Sequence, residues 1–276
     1  MITINIDPIL FHLGPLELTW HSIFIVVGIV VAVWLSVRFA RQAGLSQDDM
    51  MTIAVWSVPG GVVGSRLVHV IDYWSQYMAD PLSIFAIWHG GLAVWGAVLG
   101  GTLTAAVVCR VKGIPFGAYA DQIAPGLVLA QAVGRIGDII NGEHFSTFTN
   151  LPWAVVYTHP NSPAFGRPPS HPEVAYELLM NLAIFGLAVW LRNRLRPSGA
   201  PFLVYLSVYS VGRFFLSFLR LDSNTVWLGL SQPQWICLAV LVVAVPLLVW
   251  MRPRLGPPQL AVASAVPAGD SAGDDS

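Results

Sequence analysis

YADQIAPGLVLAQAVGRIGDIINGEHFS, residues 119 to 146, joins two unlike halves. The first is an apolar run that, continued to about residue 140, reaches the roughly 20 residues a helix needs to cross hydrocarbon. The second packs Arg135, Asp138, Asn141, Glu143 and His144 into a short span, with glycines at 134, 137 and 142. The whole chain follows the apolar half. Its 276 residues are 55% hydrophobic and 11% charged, against about 25% charged in a soluble domain. That leaves too little polar surface to face water, so the class is an integral membrane protein. The formal net charge of -1 offers no basic excess for nucleic acid, so no nucleic-acid partner is expected. Cys109 and Cys237 lie in or beside apolar runs with no ligand pattern nearby and read as small hydrophobes. No metal and no cofactor is expected.

Seven apolar runs have the length to span, near 21–39, 51–73, 90–109, 119–140, 174–191, 200–219 and 234–251. The first 20 residues contain no Lys or Arg and so lack the basic start of a cleaved signal peptide, which makes the first run a retained helix. Arg38 and Arg41 follow the first run, Arg110 and Lys112 the third, Arg192, Arg194 and Arg196 the fifth, Arg252 and Arg254 the seventh. In a seven-span chain all of these fall on one side, and only Arg167 and Arg220 fall on the other. Basic residues mark the cytoplasmic side. The expected fold is therefore an all-α polytopic membrane protein with seven transmembrane helices, N-terminus outside and C-terminus cytoplasmic. Residues 1–254 form one domain, and 255–276, rich in Pro, Ala, Gly, Ser and Asp, form a disordered cytoplasmic tail. The longest loop, 145–173, lies on the outer face as a compact element, with Trp153, Tyr157 and Phe165 at the lipid interface. Gly60–Gly64 and Gly96–Gly100 are small-xxx-small pairs that permit close helix contact.

The charged residues inside or at the ends of spans carry the chemistry, because an unpaired charge in hydrocarbon is costly. Arg135 and Asp138 are three apart and share a helix face, so they can pair; Gly134 and Gly137 leave room beside the guanidinium. Either a salt bridge locks this helix into the bundle or the arginine serves an anion site at the membrane surface. In YSVGRFFLSFLRLD, residues 209–222, Arg213, Ser217 and Arg220 are spaced to share one helix face. A guanidinium can hold phosphate oxygens through two parallel hydrogen bonds. Two or three outer-face arginines suggest a phospholipid headgroup; the rival is structural pairing with Glu143, Asp138 or Asp222. Arg66 and His69 lie one turn apart near Asp72 and Tyr73, and read first as a structural polar network. In SHPEVAYE, residues 170–177, Pro172 suits a first helical turn, and His171 precedes it on the outer surface, where it could move a proton.

These residues resemble a known family. GRIGDIINGEHFS, residues 134–146, is similar to the signature of bacterial phosphatidylglycerol–prolipoprotein diacylglyceryl transferases, roughly G-R-x-G-N-x-x-N-G-E-x-x-G. HGGLAVWGAVLGG (89–101), SHPEVAYE, VGRFFLSFLR (211–220) and GSR (64–66) support it, and the resemblance runs from about residue 15 to 251. It implies an enzyme of the bacterial cytoplasmic (inner) membrane with its active site towards the outer face. Such an enzyme moves the diacylglyceryl group from phosphatidylglycerol to the lipobox cysteine of a prolipoprotein signal peptide. A thioether forms and glycerol 1-phosphate leaves, in the first step of lipoprotein maturation. The implied catalytic residues are Arg135, Glu143, His171 and Arg213. Arg135, Asn141, Gly142, Arg213 and Arg220 would bind phosphatidylglycerol, with Arg66, Asp138, His21 and His89 as secondary candidates. The nucleophilic thiol belongs to the substrate and must be deprotonated; His171 and Glu143 are the foremost bases.

The sequence departs from the family at several points. Asp138 stands where the family usually has Asn, Ser146 where it has Gly, and Trp95 where many members have His. His21 stands where many have Tyr, and Ser217 where some have an acid. His21 and His89 are then the places where lost proton-transfer capacity could be restored. A non-enzymatic protein that binds or translocates anionic phospholipid, and a small-anion transporter, are the rival functions. The absence of internal repeats counts against transport.

Overall fold

The computed structural model describes residues 1–13, 16–86, 91, 94–222 and 225–256. It is mostly helical: α1 Trp20–Gln42, α2 Gln47–Asp72, α3 Trp74–Ala79, α4 Val94–Lys112, α5 Phe116–Asn141, α6 Glu173–Leu191, α7 Ala200–Leu216 and α8 Gln232–Met251. Each expected span overlaps one of these long helices. Among the described residues, six are long and apolar enough to cross a membrane: α1, α2, α5, α6, α8, and α7 with its continuation to Leu219. The expected span at 90–109 corresponds to α4, 19 residues long; His89 lies outside the described residues.

The all-helical expectation needs one correction, because short strands decorate both ends. β1 (Ile2–Ile4) pairs in parallel with β4 (Val155–Tyr157). Three antiparallel pairs follow: β2 (Ile9–Leu13) with β3 (Leu16–Thr19), β5 (Leu195–Arg196) with β8 (Arg254–Leu255), and β6 (Thr225–Trp227) with β7 (Leu230–Ser231). Backbone that leaves the helices must satisfy its own N–H and C=O groups, and these two-stranded pairs do so. Leu255 is a strand residue, and the Gly256 amide donates to the Arg194 carbonyl at 2.8 Å; residues 257–276 lie outside the described residues.

The surface is inverted relative to a soluble protein. Val26, Val30 and Trp34, four residues apart along α1, are exposed, whereas Asp121, Asp138, Asn141, Glu173, Glu177, Asn181 and Arg213 are buried. In a bilayer the apolar stripe meets lipid and the polar groups must find partners inside the bundle. Asp121 illustrates this: its two carboxylate oxygens accept from the Gly199 and Phe202 amides at 2.7 and 3.0 Å, satisfying orphan donors at the start of α7.

Helix α1 packs along α5, α2 along α4, and α5 to α8 pack in succession. The glycine pairs make the second of these contacts possible. A Cβ on Gly64 would lie 2.4 Å from the Gly96 carbonyl oxygen, and one on Gly100 would lie 2.4 Å from that of Gly60, so α2 and α4 touch backbone to backbone. Gly28 and Gly126 play the same part between α1 and α5. With this connectivity the start of α1, the end of α5, the start of α6 and the end of α7 converge at one end of the bundle. The basic clusters in the last turns of α1 and α4 and just after α6 and α8 lie at the opposite ends of those helices.

Candidate active site

The convergent end holds a chain of arginines and carboxylates. On α5, Arg135 Nη1 donates to Asp138 Oδ2 at 2.6 Å, the pair expected from their spacing. Its Nη2 reaches across to α6 and donates to Glu177 Oε1 at 2.8 Å. On α7, Arg213 Nη1 donates to Glu177 Oε2 at 2.7 Å and to Glu173 Oε1 at 2.8 Å. The Tyr209 hydroxyl donates to Glu177 Oε1 at 3.2 Å. Glu177, fully buried, thus bridges the two arginines. The sequence names Glu143, Asp138 or Asp222 as partners for Arg213; the structure supplies Glu173 and Glu177 instead. Their i,i+4 spacing on an apolar helix was the available signal, since two carboxylates on one buried face require cations. The remaining N–H groups of Arg213 donate to no described residue, which leaves hydrogen-bonding capacity on that guanidinium.

Asp138 is held through both oxygens. Oδ2 takes Arg135, while Oδ1 makes a short contact with His21 Nδ1 from the first turn of α1. The glycines account for this meeting. A Cβ on Gly137 would lie 2.7 Å from the Cα of His21, so the space it leaves is filled by α1 and not by open cavity. Gly134 has nothing within 4 Å and does keep a free surface beside Arg135. Helix α5 ends at Gly142, whose left-handed φ of 75° suits glycine. A Cβ at Gly142 would strike Ser162 and Tyr157. The Cα face of Gly142 therefore packs against the 145–173 element. Asn141 donates to Glu143 Oε1 at 2.8 Å, and its own buried Oδ1 is unpartnered, as is Glu173 Oε2. The ligand atoms of His21, Asp138 and Glu143 lie within 4.8 Å of one another.

Arg220 does not share a helix face with Arg213. Helix α7 ends at Leu216, residues 217–219 tighten into a 3-10 turn, and Arg220 is extended. It grips Asp222 through two bonds of 2.9 and 2.7 Å and donates to His144 Nδ1 at 2.6 Å. The backbone beside it closes the same latch: the Leu221 amide donates to the Phe145 carbonyl and the Thr147 amide to the Leu219 carbonyl, both at 2.8 Å. Burial alone would raise the Asp222 carboxyl, but contact with His144 and Arg220 outweighs it and holds the group well below the usual carboxylate range.

The other expected residues stand apart from the chain. His171 makes its side-chain contacts with Tyr176, Nδ1 lying 3.4 Å from the hydroxyl; Pro172 is the N-cap of α6 and not its first turn. Arg66 donates to the carbonyls of Ile84, Ser83 and Gly91 and lies over the Tyr77 ring, which makes it a clasp for the segment after α3. Within the 145–173 element, Trp153 and Phe165 are exposed as expected of interfacial rings. Tyr157 instead turns inward and donates to the Ile139 carbonyl at 2.8 Å.

Fold and site together define a polytopic helical membrane protein with a buried arginine–carboxylate cluster at one end. A family model for prolipoprotein diacylglyceryl transferase matches residues 8–250. The chain belongs to that family. It is 38% identical to phosphatidylglycerol–prolipoprotein diacylglyceryl transferase 1 of Streptomyces coelicolor, over 96% of this chain and 77% of the relative. It is 35% identical to the Dehalococcoides mccartyi enzyme of that name, over 91% and 95%, and 34% identical to that of a Nostoc species, over 95% of each.

Proposed function

We propose that this chain is a transferase that moves the diacylglyceryl group of phosphatidylglycerol onto the lipobox cysteine thiol of prolipoproteins, releasing glycerol 1-phosphate. The observation that carries the reading is the joining of Arg135 and Arg213, from different helices, at one end of the bundle through Glu177. As the C–O bond breaks, negative charge grows on the departing phosphate. Preorganised guanidinium groups in a water-poor site stabilise such charge strongly. Gly134 leaves a surface open beside Arg135, and Arg213 keeps N–H groups for an incoming phosphate. Asn141 and Glu143 flank the same end, and Arg220 holds the loop that closes it.

The proposed setting is the bacterial cytoplasmic membrane. Seven spans, with α4 as the third, put the N-terminus outside, the C-terminus inside and the arginine cluster at the outer face. Residues 1–254 act as one transferase domain. Basic residues gathered at the opposite helix ends support that orientation. Purified protein in phosphatidylglycerol vesicles, given a peptide with a lipobox cysteine, is expected to yield the thioether and free glycerol phosphate. Arg135→Ala is expected to reduce kcat by about a hundredfold or more. A folded wild-type protein that yields no product across a range of pH would overturn the proposal.

A further inference from the structure

We infer that His21 and Asp138 form the proton-accepting dyad of this site, with His21 Nε2 taking the proton of the substrate thiol. The inference rests on the transferase reading above and assigns the group that reading leaves open.

Three observations carry it. First, His21 Nδ1 is bonded to Asp138 Oδ1, while Asp138 Oδ2 accepts from Arg135 at 2.6 Å. A carboxylate paired with a guanidinium can only accept, so Nδ1 carries the ring hydrogen and Nε2 carries the lone pair. The tautomer is fixed by the partner, and the same carboxylate stabilises the imidazolium once a proton arrives. Second, the ring is accessible. The His21 side chain is 32% exposed against 3% for Asp138, and Nε2 hydrogen-bonds to no described residue. Third, its placement depends on a close approach. Only a residue without a Cβ at 137 lets the first turn of α1 settle on α5, since a Cβ there would lie 2.7 Å from the His21 Cα. Of the other expected bases, Glu143 accepts from Asn141 and the His171 ring turns to Tyr176, while His89 lies outside the described residues.

Two departures from the family pattern then form one device. His21 and Asp138, read singly, are unusual residues; together they make a base tied to the phosphate grip. Asp138 need not repel the substrate phosphate, since both its oxygens are engaged by cationic or hydrogen-bonding partners. In the step, Nε2 takes the thiol proton as sulfur bonds to the terminal carbon of the diacylglyceryl group. The bond from that carbon to the phosphate oxygen breaks, and its electron pair leaves with glycerol phosphate. The imidazolium returns the proton to that phosphate. The charged groups facing His21 are Asp138 and Arg135 from α5 and Glu143 just beyond it, with His144 Nε2 3.6 Å from the far oxygen of Asp138.

The test uses the full-length protein in phosphatidylglycerol vesicles with the lipobox peptide. His21→Gln keeps an amide towards Asp138 but cannot take the proton, and is expected to lower kcat about 10²–10³-fold with KM for phosphatidylglycerol little changed. His21→Ala is expected to lose as much, and added imidazole should restore part of it in proportion to its free-base form. Asp138→Asn should flatten the acid limb of the rate–pH profile. The assignment is overturned if His21→Gln stays within about threefold of wild type. It is equally overturned if imidazole restores nothing to His21→Ala and both histidine variants keep the wild-type pH profile. Melting curves identify any variant that does not fold, and His21→Gln then decides in place of His21→Ala. An active wild type with indifferent histidine variants sinks the dyad alone; an inactive wild type sinks the transferase reading and the dyad with it.

Discussion

Arg135 and Arg213 come from α5 and α7, yet both donate to one carboxylate of α6, Glu177. A buried ion pair is weak evidence for stability against an apolar alternative, but removing one partner leaves an uncompensated charge. Glu177→Gln is therefore expected to destabilise the folded protein by about 3–5 kcal/mol, read as an earlier thermal unfolding in detergent. An unchanged melting temperature would show that the two guanidinium groups are balanced elsewhere. At this scale the sequence was legible where partners are local. Arg135 and Asp138 are three residues apart, and their pairing followed from helix geometry. Glu177 is 42 residues from Arg135 and 36 from Arg213; no periodicity links such positions, and only the packing of α6 between α5 and α7 does.

The long helices were legible as elements because each of the seven apolar runs in the sequence overlaps one of them, and six of these helices are long and apolar enough among the described residues to cross a membrane. Their contacts were legible only in part. Gly60–Gly64 and Gly96–Gly100 were recognisable as close-contact motifs, but which helices they join emerged from the fold. The two kinds of glycine predict different outcomes. Gly64→Ala places a methyl 2.4 Å from the Gly96 carbonyl oxygen, where neither backbone can yield cheaply. It should part α2 from α4 and cost about 1–3 kcal/mol. Gly134→Ala, with nothing within 4 Å, should leave stability unchanged or raise it by up to about 1 kcal/mol through lower chain entropy. Parallel unfolding curves check both. The turn from α7 into extended chain at Arg220 escaped the periodic reading, because the spacing 213, 217, 220 assumes a helix that in fact tightens and stops.

Across the whole molecule, basic residues gather at one end and the arginine–carboxylate chain at the other. If the basic end is cytoplasmic, the loop at 163 faces out and the turn between α1 and α2 faces in. Pro163→Cys should react with a membrane-impermeant maleimide in intact spheroplasts, and Gln47→Cys only after lysis. Cys109 and Cys237 are buried and should contribute little background. The reverse labelling pattern would invert the topology and remove the site from the outer face.

The sequence by itself determined the class, the long helices, the basic asymmetry and the family, because composition, apolar run length and a local motif are all properties of contiguous residues. The tertiary structure decided what the charges do. It set Glu177 between two arginines, moved Arg220 into a loop latch, packed Gly142 against Ser162 and Tyr157, and brought His21 onto Asp138 from 117 residues away. The physical reason is that a buried charge is satisfied by whatever packing places beside it. In this bundle that is settled by close approaches at glycines, which a sequence records as missing side chains without saying what fills the space.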